Sequence, residues 1–115
     1  MIASTPFNNA KIIITGHTGF KGSWLSAWLS QLGAKVIGLS DGVPTVPAHY
    51  NLIKENLESD LRIDIKDAEA MYSIINDIQP DFIFHLAAQP IVLESYSNPL
   101  KTFNTNVMGT GNVLD

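Results

Sequence analysis

The sequence predicts an α/β fold built on a doubly wound parallel sheet. Three observations carry this reading. Short β-branched apolar runs alternate with segments of helical periodicity. A glycine-rich turn joins the first run to the first helix, and the last run is almost wholly apolar, as in a parallel strand covered on both faces.

Taken in order, Lys11–Thr15 (KIIIT) reads as a buried strand. From Lys21 to Leu32 the residues Trp24, Leu25, Trp28, Leu29 and Leu32 have the spacing of one helical face, the face a helix turns to a core. Gly33 closes that helix. Lys35–Leu39 is strand-like again, and residues 41–50, with Gly42, Pro44 and Pro47, read as an irregular loop. Leu61–Ile65 is the expected third strand. Asp67 then caps a helix whose inner face is Met71, Ile74, Ile75 and Ile78, and Pro80 ends it. Asp81–Ala88 (DFIFHLAA) is the expected central strand, and Thr102–Asp115 begins a further helix. The alternation implies right-handed crossovers. With its last helix cut, the sheet reads as truncated before its C-terminal half.

Composition narrows the classes. At 115 residues one domain is expected, since domains run ~100–200 residues. A hydrophobic share of 45% against 16% charged is enough to build a core, which excludes disorder. The net charge of −4 argues against nucleic acid as a partner. The absence of cysteine removes disulfides and thiolate metal sites, and no metal site is expected. Met1–Ala10 lacks the pattern of a signal peptide, and no apolar run nears the ~18 residues of a membrane span. The expectation is a cytoplasmic protein with no membrane partner.

The chemistry lies in Gly16-His17-Thr18-Gly19-Phe20-Lys21-Gly22, between the first strand and the first helix. Glycines there let the chain turn sharply, let a pyrophosphate approach bare backbone, and let the helix pack close to the sheet. The helix N-terminus adds free N–H groups and a positive dipole end. A P-loop is excluded by order, because Lys21 precedes Gly22-Ser23. The spacing G-x-x-G-x-x-G is one residue longer than the usual dinucleotide fingerprint. The fold expected is therefore Rossmann-like, with a dinucleotide as its ligand.

Asp41 lies 19 residues beyond Gly22, near the offset at which an acid grips the ribose hydroxyls of NAD. It reads equally as the opening of a turn with Gly42. No arginine stands near to receive a 2′-phosphate, which favours NAD over NADP. Asp64 is a candidate for the adenine amino group, or a solvated strand-end carboxylate. Leu86, Ala87 and Ala88 end the fourth run with small side chains that leave room for a cofactor at the sheet's C-terminal edge. His85, inside an apolar run, reads as a satisfied core histidine rather than a catalytic one.

The strings TGHTGFKGSWL (15–25), DIKD (64–67), HLAAQP (85–90) and TNVMGT (105–110) resemble the extended short-chain dehydrogenase/reductase superfamily. Within it, GHTGFKGSWL, the Pro-Thr-Val-Pro of 44–47 and HLAAQP are similar to the CDP-glucose 4,6-dehydratase branch. The resemblance covers residues 11–115. It implies NAD binding through Gly16, Thr18, Gly19, Phe20, Gly22, Asp64, Ile65, Ala87 and Ala88, with Gln89 and Asn106 near the active centre. It also implies a nucleotide-sugar partner, CDP-glucose, and a homo-oligomer when complete. The implied reaction takes a hydride from C4 of the hexose, loses water across C5–C6, and returns the hydride to C6. Two departures stand out. Gly42 falls where relatives often carry the ribose-binding acid, and Gly111-Asn112 interrupts a stretch that relatives fill with better helix formers.

The family's Tyr-x-x-x-Lys pair and its sugar pocket are expected beyond Asp115, so no residue of this chain is assigned to catalysis. Tyr50 and Lys54 have the right spacing but follow the second strand, and read as a coincidence. Two other readings stay open: a nucleotide-sugar epimerase or reductase of the same superfamily, and a non-catalytic NAD-binding module.

Overall fold

The computed structural model describes residues 5–115; Met1–Ser4, part of the segment considered above for targeting, lies outside them. Strands β1 (Lys11–Thr15), β2 (Lys35–Ser40), β3 (Ser59–Arg62) and β4 (Phe82–His85) form one parallel sheet in the order β3-β2-β1-β4. The Rossmann-like expectation holds. In β1, successive side chains face opposite sides, so Ile12 and Ile14 pack with Leu29 and Val36 while Ile13 packs with Leu39, Ile65 and Met71. One strand thus supplies two cores, one for each helical layer.

Helix α1 (Phe20–Gln31) covers the first core with only part of the expected face: Leu25, Leu29 and Leu32 pack there, but the two tryptophans do not. Gly22, Ser23, Ser26 and Leu29 are buried, whereas Trp24 and Trp28 are 55% and 65% exposed. The reason is how near the helix lies to the glycine loop. A Cβ on Gly22 would run into the Gly16 carbonyl, so only small residues fit along that line. The serine hydroxyls can be buried because each bonds to the preceding turn, Ser23 to the Phe20 carbonyl at 2.9 Å and Ser26 to the Gly22 carbonyl at 2.7 Å. Gly33, with φ of +89°, closes the helix as expected.

The expected loop 41–50 ends in a short helix, α2 (Tyr50–Ile53), and a 3₁₀ turn over Lys54–Asn56. Strand β3 starts and stops earlier than expected, so Asp64 and Ile65 lie in the loop beyond it. Helix α3 (Ala68–Ile78) is capped by Asp67, whose carboxylate accepts from the Ala70 N–H at 3.1 Å. Its expected inner face, Met71, Ile74, Ile75 and Ile78, does pack on the second core.

Strand β4 is shorter than expected. It lies at the edge of the described sheet, with Phe82 and Ile83 38% and 36% exposed, rather than covered on both faces. Its apolar run continues past His85: the Leu86 N–H gives a last ladder bond to the Thr15 carbonyl at 3.0 Å, and Leu86–Ala88 are loop. Beyond it come α4 (Val92–Ser97), which the sequence reading missed, α5 (Pro99–Phe103), a π-helical turn over Asn104–Met108, and α6 (Gly109–Leu114). Gly111-Asn112 does not break α6, and Asn112 donates to the Ile65 carbonyl at 2.8 Å. Among the described residues no helix is long and apolar enough to cross a membrane.

Candidate functional site

The chain winds from β1 through β2 to β3 on one side, then returns to place β4 on the other side of β1. At such a switch point the connections leave in opposite directions, and a crevice opens at the carboxyl ends of the strands. The structure has a cleft of about 580 Å³ there, a size suited to a small ligand.

The three loop glycines serve different ends. Gly16 has φ of +76°, and a Cβ there would lie 2.7 Å from the Ala87 nitrogen, so glycine lets the loop meet the Leu86–Ala87 wall. Gly22 seats α1 against the sheet. Gly19 is required by neither need: its φ is −74°, and a Cβ would meet only the Gly16 carbonyl, at an ordinary 3.4 Å. It lines the cleft at the start of α1, where no side chain caps the helix, which leaves first-turn N–H groups for a ligand. The space beside Gly19 admits a Cβ, and the residue lines the cleft. A phosphate cradle needs that space.

The end of β2 is tied to this loop. The Gly42 carbonyl accepts from both the Thr18 and Ser40 hydroxyls, at 2.6 and 2.7 Å. Asp41 stands on the exposed rim of the cleft. Opposite it, Asp64 is half-exposed, its carboxylate accepting from the Lys66 N–H at 2.9 Å and lying 3.6 Å from the Lys66 ammonium. The far wall hangs on Thr15, whose Oγ1 accepts from the N–H groups of Leu86 and Ala87 at 3.1 and 3.2 Å.

The structure therefore brings Gly16, Thr18, Gly19, Phe20, Gly22, Asp41, Asp64, Ile65, Leu86, Ala87 and Ala88 to one cleft. Gln89 and Asn106 are not on its lining. They bind each other behind the wall: the Gln89 N–H donates to Asn106 Oδ1 at 2.7 Å, and Asn106 Nδ2 donates to the Gln89 carbonyl at 3.1 Å. The sequence reading did not assign Lys21, Ser40, Gly42, Pro44, Ile63, Pro90 and Thr105 to the lining. Lys21, Ser40 and Ile63 were within reach of it, one inside the glycine loop and two at or just past strand ends. Pro90 and Thr105 carry no local signal, being brought in by the fold beyond β4.

His85 is held from both sides, with Nδ1 2.6 Å from Thr15 Oγ1 and Nε2 2.9 Å from Thr110 Oγ1. Burial holds its pKa below the usual histidine range. Tyr50 is buried away from the cleft, its hydroxyl bonded to Asp60 and accepting from Arg62 at 2.9 Å. It is a structural residue here, and the Tyr50–Lys54 spacing makes no pair at the site.

Asp60 also takes His17 Nε2 at 2.7 Å and Arg62 at 2.9 Å. Burial pushes the Asp60 carboxyl up, but the bonds from Tyr50, His17 and Arg62 together outweigh it and hold the pKa below the usual value of 3.8. A carboxyl lowered in the folded state stabilises the fold above its unfolded pKa, and that stability is lost as pH falls through the lowered value. Asp60→Asn should therefore be less stable than the parent at neutral pH, with the gap closing as pH falls below the ordinary carboxylate range of about 4. Thermal unfolding from neutral pH to below that range checks this, and parallel curves would contradict it.

With this geometry in place, comparison with known proteins decides the family. A family model described as GDP-mannose 4,6 dehydratase matches residues 13–115. The chain belongs to that family. It is 44% identical to the CDP-glucose 4,6-dehydratase of Salmonella typhimurium, over all of this chain and 32% of that protein. Among solved structures, the UDP-glucose 4-epimerase of Thermotoga maritima with UDP-glucose superposes with a TM-score of 0.80 at 30% identity, over 90% of this chain and 32% of that one. The UDP-glucose 4-epimerase of Thermus thermophilus, in complex with NAD, superposes with a TM-score of 0.78 at 26% identity, over 90% and 32%. The chain thus spans about a third of the length of the relatives it matches. These family members are dehydratases and epimerases of nucleotide sugars by name.

Proposed function

We propose that this chain is the NAD-binding portion, residues 1–115, of a nucleotide-sugar 4,6-dehydratase that converts CDP-glucose to CDP-4-keto-6-deoxyglucose. The observation that carries the substrate is the 44% identity, over the whole chain, to a CDP-glucose 4,6-dehydratase. The cofactor is supported by Gly19: neither its φ nor its protein contacts call for glycine, whereas a pyrophosphate lying against the loop would.

In this reading the pyrophosphate rests on the Gly16–Gly22 loop and the first turn of α1, where N–H groups and the helix dipole favour negative charge. Thr18 and Ser40 brace the turn that presents Asp41 to the adenosine ribose. Asp64 and Ile65 take the adenine, and Leu86–Ala88 form the small-residue wall along which the cofactor runs to the sugar. Gln89 and Asn106 hold that wall from behind. Bound NAD supplies a hydride acceptor for C4 that later serves as the donor to C6. The residues of this chain bind and orient it, and the wall of Leu86–Ala88 keeps water from one side. The proton-transferring tyrosine and lysine belong, by resemblance, to the segment that follows in longer relatives.

The test is isotopic and uses the full-length protein. With CDP-glucose deuterated at C4, the label should reappear at C6 of the same molecule, with no net NADH. Mixed labelled and unlabelled substrate should give no crossed product. Steady NADH release, or loss of label to solvent, would overturn the dehydratase reading.

A further inference from the structure

We infer that His85 is a positioning residue: a neutral imidazole fixed in its Nε2–H tautomer that ties the Leu86–Ala87 wall of the cleft to the π-helical turn carrying Asn106. The inference rests on the proposed cofactor site for its binding consequence, but the proton assignment stands on hydrogen-bond accounting alone.

A threonine hydroxyl has one proton to give and two lone pairs. At Thr15 the hydroxyl oxygen accepts the Ala87 N–H and shares the Leu86 N–H, which also bonds to the Thr15 carbonyl at 3.0 Å. Both amides are donors and cannot take the hydroxyl proton, so it goes to the remaining neighbour, His85 Nδ1, at 2.6 Å. That nitrogen must carry a lone pair. On the far side, Thr110 Oγ1 lies 2.6 Å from the Asn106 carbonyl, which can only accept, so the Thr110 proton is committed there. Its oxygen is left to accept from His85 Nε2 at 2.9 Å, and Nε2 must carry hydrogen. All the donors then point one way, from the Leu86 and Ala87 amides through Thr15, His85 and Thr110 to the Asn106 carbonyl. Bonds aligned in this manner polarise one another.

Three segments far apart in sequence meet in this chain of bonds. One is the end of β1, the second the wall after β4, and the third a π-helical turn, a departure from α-helix often found at functional sites. The same wall is gripped at its other end, where the Asn106 side chain holds both backbone groups of Gln89. His85 spans between the two grips and so sets where the wall stands. The wall abuts Gly16 closely enough to exclude a Cβ, so a shift of the wall changes the width of the pyrophosphate side of the cleft. A proton on Nδ1 does not suit the arrangement, because Thr15 would face a further N–H at 2.6 Å and its own proton would lose its partner. Burial of the ring acts in the same direction, against the charged form.

Two measurements on the full chain test this. The first is the imidazole ¹⁵N spectrum of His85 at neutral pH, assigned against His85→Asn. It should show Nδ1 unprotonated and Nε2 protonated; the opposite tautomer, or an imidazolium, overturns the inference whether or not NAD binds. The second is NAD affinity. Asn places an oxygen where Nδ1 stood, so His85→Asn keeps the bond to Thr15 but loses the reach to Thr110. Thr110→Val cuts the same link without touching the ring. Each should weaken NAD about three- to tenfold at an unchanged folded fraction, the scale of one neutral hydrogen bond. The double variant should be no weaker than either single one, since both sever a single connection. Unchanged affinity in folded variants, or losses that simply multiply, overturns the link. Failure of the parent to bind NAD at all would instead strike the proposed cofactor site, leaving the tautomer to be judged by the spectrum.

Discussion

Gly19→Val is expected to abolish dinucleotide binding while leaving the unfolding temperature close to that of the parent. The two halves of this result come from one geometry. Nothing in the protein crowds a Cβ at residue 19, and its backbone φ of −74° is open to any amino acid. The fold therefore has no stake in glycine there. A branched side chain would stand at the mouth of the α1 N-terminus and fill the space a pyrophosphate occupies. Calorimetric titration with NAD, alongside thermal unfolding, separates the two effects. Retained affinity in the folded variant would remove the phosphate-cradle reading. Loss of folding would show that the loop is tighter than its contacts indicate.

Gly22→Ala should do the reverse and strike the fold first. Alanine is favoured over glycine inside a helix by about 1 kcal/mol. Against this, the new methyl group would collide with the Gly16 carbonyl and the His17 Cα, both backbone, which cannot swing aside as a side chain would. Overpacking of this kind costs about 1–3 kcal/mol, and a backbone obstacle belongs at the upper end. The expected net is a loss of about 2 kcal/mol, several degrees in the unfolding midpoint for a domain of this size. Gly111→Ala is the control, since a Cβ there meets nothing within 4 Å and α6 should gain the helix-propensity term. Opposite shifts of the two midpoints are expected; equal shifts would mean that α1 does not sit on the glycine loop as described.

These glycines also show what could be read before the fold. The first strand, the loop and the start of α1 are contiguous, so their order alone pointed to the end of β1, where the cleft lies. Only part of the α1 face could be read this way, since Leu25, Leu29 and Leu32 do pack on the core. Hydrophobic spacing picked out Trp24 and Trp28, yet close approach to the sheet selects for small residues, and Ser23 and Ser26 are buried because their hydroxyls close locally onto the helix. Strand ends failed for a related reason. DFIFHLAA is almost wholly apolar, but the strand stops at His85, and Leu86–Ala88 beyond it line the cleft instead of extending the sheet. Tyr50 was set aside from catalysis on position, and its burial against Asp60 and Arg62 explains why a tyrosine stands there. The link from Thr15 through His85 to Thr110 joins segments some seventy and twenty-five residues apart, so no local pattern announces it.

The central claim is that a dinucleotide occupies the cleft at the ends of β1, β2 and β3 and along the wall after β4. Backbone amide NMR of the chain during titration with NAD tests it most directly. The account predicts saturable shifts at residues 16–22, at Asp41 and Gly42, at Asp64 and Ile65, and along Leu86–Ala88, with Tyr50 and Lys54 unmoved. An absence of shifts at millimolar NAD, or shifts centred on Tyr50 and Lys54 with the glycine loop silent, would contradict it.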